Sequence, residues 1–352
     1  MPVFNLNTSS GATATASSSL YVVGSNSQVL NTGAAFDFST FTNNTLVVNG
    51  LVASATSVGV SSIGIGNHVS VTQNGAVIAD TDGIFLQQGA LVTNAGTIVS
   101  ETDDGVQIGG SGSAVENSGM IQAEDNGVVL QGDNCTLLNT GTINALDRGA
   151  FFDGSNVALV NSGSIISGVG SVDLSFLGTA ETSQVSNTGV LQGEQYAILG
   201  GGGSDTITNS GILAGDVIMG AGDDRFDNRG GALNGDVYGG TGNDTFITDS
   251  AGLVIVELAG EGTDEVRSSV NYHIGANIEN LTLIGAEGLV GWGNSLANLL
   301  TGTNANDVLR GLNGNDTINA GAGDDLVYGG AGNTITLLNV TLGDLDANDF
   351  IF

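Results

Sequence analysis

The sequence predicts an all-β fold, a right-handed parallel β-helix with about 22 residues per rung, from three periodic columns. The first is a motif of Asn, a small residue, Gly and an aliphatic residue. It recurs as NAGTI at 94, NSGMI at 117, NTGTI at 139, NSGSI at 161, NTGVL at 187 and NSGIL at 209, a nearly constant step. The second column is Ile84, Val106, Val128, Ala150 and Val172, with Leu86, Ile108, Leu130, Phe152 and Leu174 two positions further on. A spacing of two within a segment is that of a strand with one face turned inward. The third column is apolar throughout: Val92, Val115, Leu137, Leu159, Val185, Ile207 and Phe226. A fixed period of this length makes each repeat one rung, with strands separated by Gly and Asn turns and equivalent positions stacked about 4.8 Å apart.

The elements follow in chain order. Residues 1–20 are expected to form an N-terminal cap, and 21–199 a β-helix without metal. Within it Asn94, Asn117, Asn139, Asn161, Asn187, Asn209 and Asn228 are expected to stack as an amide ladder. Such a row holds rungs together and is not read as a sugar-binding or ice-binding surface.

Composition narrows the function. The chain has 352 residues, 36 acidic against 5 basic, and a net charge of −31. All five basic residues are arginines. This balance argues against nucleic-acid and anionic-membrane partners, which need basic footprints. With 40% hydrophobic residues the chain is not compositionally disordered. The lone Cys135 excludes an internal disulfide and a thiolate cluster. No run is long enough for a transmembrane helix. The N-terminus MPVFNLNTSSGATATASSSL lacks the basic start and apolar run of a signal peptide, so export, if any, is expected by another route.

The turn four positions before the ladder Asn changes character near residue 200. Ala90, Ser113, Cys135, Val157 and Ser183 give way there to Asp205 and Asp224. From that point the turns read GGGGSDTIT (200–208), GAGDDRFD (220–227), GGTGNDTFI (239–247) and AGEGTDEVR (259–267). The aspartates Asp205, Asp224, Asp244 and Asp264 recur at a nearly even step, one per rung. Carboxylates stacked at rung spacing repel by about 3–4 kcal/mol per neighbour at an effective dielectric near 20. A divalent cation between rungs removes that repulsion. Carboxylates with turn carbonyls make an all-oxygen shell, which suits Ca²⁺ better than Zn²⁺. A second array follows: GTNANDVLR (302–310), GLNGNDTIN (311–319), AGAGDDLVY (320–328) and GGAGNTITL (329–337). Asp307, Asp316 and Asp325 are nine apart, so two motifs make one turn and place Asp rows on both edges. The stretch from Asp264 to Asp307 leaves room for about two rungs without the Asp.

These motifs resemble the RTX, or haemolysin-type, calcium-binding nonapeptide family, with pattern G-G-x-G-x-D-x-U-x and U large and apolar. The segment VNYHIGANIENLTLIG with GNSLANLLTG is similar to linkers within such arrays. The resemblance covers roughly 200–352 and implies an RTX calcium-binding β-roll over 200–340, continuing the β-helix. It implies several Ca²⁺ ions held by Asp205, Asp224, Asp244, Asp264, Asp307, Asp316 and Asp325. Carbonyls would come from the preceding glycines: Gly201, Gly203, Gly222, Gly240, Gly242, Gly260, Gly262, Gly314 and Gly323. Thr303 and Leu312 replace glycines of the pattern, and Thr334 stands where an Asp belongs. The ending LGDLDANDFIF (within 341–352) resembles the uncleaved C-terminal signal of type I secretion substrates; the plainer alternative, an apolar tail that caps the last rung, is compatible with it.

The implied function is a secreted or surface-associated calcium-binding structural or adhesive solenoid. Its partners would be calcium, type I secretion machinery, and an acidic glycan or a second copy bridged by calcium. The alternative is a polysaccharide lyase or epimerase with an RTX secretion module, its carboxylates among Asp103, Asp104, Glu124, Asp125 and Asp147. Against it, lysine is absent, the only histidines are His68 and His273, and Arg148 is the only base in 1–199. A uronate needs a base and neutralising cations. No catalytic residue is assigned, and the acidic corner is read as a solvated edge.

Overall fold

The structure, a computed structural model, describes residues 3–8, 11–15, 17–175, 182–330, 336–338 and 350–351. The described residues contain no helix, and every strand pairing is parallel, as a solenoid requires.

One sheet of 17 strands runs the length of the molecule, about 80 Å at the usual strand spacing. Its inward column reads Tyr21, Leu46, Val69, Val92, Val115, Leu137, Leu159, Val185, Ile207, Phe226, Phe246, Val266, Leu281, Leu300 and Ile318. All of these are buried. The register passes residue 200 without interruption, so the rungs before and after the first Asp of the column form one stack. Residues 1–20, expected as a cap, already carry a strand of this sheet: Val3–Leu6 pairs with Leu20–Val23.

The first part of the solenoid has three strands per rung. The Ile84–Val106–Val128–Ala150–Val172 column forms one further side, as the spacing predicts. A third side follows each ladder Asn, as in Thr97–Ser100, Met120–Ala123 and Thr142–Ala145. These two sides fuse in the ten-residue strands Val190–Leu199 and Ile212–Ala221. The third side ends at Ala232–Asn234. Later rungs have two strands, and their period shortens: Thr245 stacks on Glu265, then Asn280, Leu299 and Thr317. Losing a side is what lets these rungs close with less chain than the earlier ones.

The amide ladder is present as predicted. Asn94, Asn117, Asn139, Asn161 and Asn187 each donate through Nδ2 to Oδ1 of the next, and Asn209 continues to Asn228, at 2.7 or 2.8 Å. All seven are buried, and each of the first six also donates to a backbone carbonyl of the following rung. A buried amide with its bonds made costs little, and one left unmade costs about 1–3 kcal/mol, so the ladder fixes register.

Candidate metal centre

The turn preceding each strand of the long sheet delivers one side chain to a single corner. The residues following Asp205, Asp224, Asp244, Asp264, Glu279, Asn298 and Asp316 pair in unbroken succession, so these seven occupy one column. The two rungs expected to lack an Asp therefore hold Glu279 and Asn298. Asp307 and Asp325 stand on the opposite edge, one turn apart.

Each carboxylate in the column uses one oxygen on the rung before it. Asp224 Oδ1 accepts the Asp205 amide at 2.6 Å, Asp244 Oδ1 that of Asp224 at 2.8 Å, and Asp264 Oδ1 that of Asp244 at 2.9 Å. Asp316 accepts the Asn298 amide at 3.0 Å and Asp325 the Asp307 amide at 2.9 Å. The other oxygen decides what the corner is for. Oδ2 of Asp224, Asp244 and Asp316 is buried and has no hydrogen-bond partner. In front of that oxygen the chain places a glycine at Asp244 and Asp316, and Met219 in the rung of Asp224. A Cβ at Gly239 would stand 2.8 Å from Asp244 Oδ2, and one at Gly311 only 2.1 Å from Asp316 Oδ2. A buried, unpaired anionic oxygen is costly unless it is protonated or coordinated. A row of such oxygens beside an open glycine face fits a hard cation.

Asp205 and Asp307 are different. Asp205 accepts from the Ser183 amide and hydroxyl on Oδ1 and from the Gly201 amide on Oδ2. Asp307 takes the Thr303 amide and hydroxyl on Oδ2, and the Leu289 amide on Oδ1. Thr303, at a glycine position of the pattern, supplies a hydroxyl where the turns of Asp224, Asp244 and Asp316 leave one carboxylate oxygen unpaired.

The glycines split by role. Gly222, Gly240, Gly242, Gly260, Gly314 and Gly323 adopt φ between +87° and +135°. Gly201, Gly203 and Gly262 do not; Gly262 permits close stacking, the Gly242 carbonyl lying where its Cβ would be. Leu312 sits at the position of Gly240 and Gly260 with φ +72°. Leu312→Gly is therefore expected to raise stability by about 0.5–1 kcal/mol, strain relief exceeding the added chain entropy. Denaturant unfolding in calcium measures it, and a less stable variant contradicts the strain.

Burial raises the pKa of the column's aspartates. Desolvation, then neighbouring carboxylates, push Asp224 up to about 8, Asp244 to about 7 and Asp264 to about 6, with backbone amides opposing. Desolvation also raises Asp205, Asp316 and Asp325. Glu257, which no motif marks, belongs to the same corner. It is buried, and its carboxylate lies within 4.8 Å of those of Asp244 and Asp264. Desolvation first, then Asp264, Asp244 and Glu261, raise it to about 8. Rung pairing sets Val256 beside Tyr238, so Glu257 faces the first glycine of GGTGNDTFI.

A family model described as the RTX calcium-binding nonapeptide repeat, in four copies, matches residues 301–335. This segment is an RTX array. Its metal is calcium. The match includes Asp316, whose unpaired Oδ2 over Gly311 repeats the geometry of Asp244 over Gly239. The same unpaired-oxygen geometry recurs in 220–267, ahead of the matched residues. No curated protein matches this chain. The fourth motif, with Thr334, and most of the acidic C-terminal stretch, Asp349 and Phe352 included, lie outside the described residues. Phe350–Ile351 pairs with Val327 and Tyr328.

The acidic corner of the first part is not the uniformly solvated edge expected. Asp104 is buried and accepts from the Asn126 side chain at 2.8 Å, and its carboxylate lies within 4.8 Å of those of Asp82 and Asp103. Desolvation raises Asp82 to about 7 and Asp104 to about 6. Asp147 pairs with Arg148 at 3.0 Å, while Glu124 is exposed.

Proposed function

We propose that this protein is a secreted, calcium-stiffened solenoid with a structural or adhesive role and no catalytic activity. The observation that carries the reading is the column of buried carboxylates with one oxygen unpaired, built into the same sheet as the metal-free rungs. An ion that ties neighbouring turns there stiffens a rod whose other half is already locked by amides. Extracellular calcium modules bind with Kd of about 10⁻⁴–10⁻³ M, above resting cytosolic calcium, so such a rod is complete only outside the cell. The net charge of −31 favours calcium bridging to an acidic glycan or to a second copy.

The basic groups a uronate-active enzyme needs are committed elsewhere. Arg148 is ion-paired to Asp147 and Asp173, and Tyr196 donates to the same Asp173 at 3.2 Å. His68 shares a contact with Thr93, and burial lowers its pKa. His273 packs edge-on to Trp292. Incubating the calcium-loaded protein with alginate, pectin and neutral glycans separates the classes. Calcium-dependent co-sedimentation or self-association without turnover is expected. Release of reducing ends, or of an unsaturated product absorbing in the ultraviolet, overturns the non-catalytic assignment.

A further inference from the structure

We propose that Glu257 is a third carboxylate ligand for the ion between the Asp244 and Asp264 rungs, and that this tricarboxylate site fills first. The inference rests on the calcium reading of the corner and extends it to a residue outside the Asp pattern.

Glu257 is 4% exposed, and neither of its carboxylate oxygens makes a hydrogen bond. The Gly240 amide approaches it without completing one. Asp244 and Asp264 are 1% exposed, and Asp244 Oδ2 is likewise unpartnered. Oxygens of the three residues lie within 4.8 Å of one another. Two of the three meet over Gly239: a Cβ there would stand 1.8 Å from Glu257 Oε1 and 2.8 Å from Asp244 Oδ2. Glu257 thus occupies space that the glycine leaves open.

Its backbone is equally placed. Ile255–Val256 pairs with Val237 and Tyr238, which directs the next residue to the turn corner. Glu257 comes from the first rung after the third side of the solenoid has ended at Ala232–Asn234. An ion held by Asp244, Glu257 and Asp264 therefore ties the turns where the stack narrows from three strands to two. Affinity in oxygen sites rises with the number of charged ligands, and among the described residues the other positions of the Asp column bring fewer carboxylates within reach.

Calcium titration of the full chain by calorimetry, with melting curves in calcium and in chelator, tests this. The wild type is expected to show one site at least about tenfold tighter than the rest. Glu257→Gln should abolish that phase and leave the weaker sites unchanged. The same variant should melt higher than wild type in chelator and gain less from calcium, a reversal of sign that a packing role does not produce. Gly239→Ala keeps every carboxylate but pushes Glu257 aside, and should lose the same phase. Isotherms identical for wild type and both variants would overturn Glu257 as a ligand while leaving the calcium reading intact. A folded wild type that takes up no calcium overturns both.

Discussion

Chelating calcium from the full chain is expected to loosen residues 236–330 and leave 21–199 protected. The two parts are held by different chemistry. From Asn94 to Asn228 the rungs are joined by the amide ladder as well as by strand pairings, and ahead of it valines stack in the same slot. Beyond Asn228 the rungs have two short strands, the ladder slot holds Thr248, Ser268 and Leu283, and the turn four positions earlier carries the carboxylates. Each site stabilises by about 1.4 kcal/mol at a tenfold excess of calcium over its Kd, so several together exceed half the stability of a typical domain. Nearest-neighbour stacking makes the loss regional rather than global. Amide exchange should accelerate by about 100-fold or more in 236–330 on adding chelator, with little change around Asn117 to Asn187. Equal loss along the whole rod, or no loss, contradicts the division.

The contrast shows what the residues announce and what they hide. The Asn row and its apolar neighbours are legible because each position repeats one chemical demand: an amide that must bond along the axis, a side chain that must fill a narrow core. The same sheet extends back to Val3, where the ladder slot holds Val23, Val48 and Val71. Valine stacks there as well as asparagine does, but it leaves no motif. The Asp column is legible for the same reason, and Glu279 and Asn298 are hidden because they hold the slot without the Asp, Glu279 accepting the Asp264 amide and Asn298 donating to the Ile278 and Glu279 carbonyls. Glu257 is hidden more deeply. It stands in a glycine slot, and only the shortened spacing from Tyr238 to Val256 brings it to the corner. The narrowing from three strands to two is equally silent, since it depends on which turn closes the rung rather than on any residue type.

Acid and calcium are expected to act on this protein with opposite signs. In the ion-free protein, Asp224 at about 8, Glu257 at about 8, Asp244 at about 7 and Asp264 at about 6 titrate well above their unfolded values. Those unfolded values are about 3.9 for Asp and 4.3 for Glu. Between about pH 4 and pH 8 the folded state therefore binds more protons than the unfolded state, and linkage makes stability fall as pH rises. Asp82 and Asp104, raised to about 7 and about 6, add the same slope in the part without the Asp column. In chelator the apparent melting midpoint should thus be higher at pH 5 than at pH 8, by about 5 °C or more once solvent screening of these shifts is allowed for. With calcium the order reverses for residues 236–330. The ion requires the ionised carboxylates that protons would neutralise, so acidification to pH 5 releases it and lowers the midpoint. Melting curves at the two pH values, with chelator and with calcium in excess, give four midpoints. Crossing of the two pH trends is the expected result. A chelated protein that grows more stable from pH 5 to pH 8 would show that the column carboxylates are ionised and satisfied without metal.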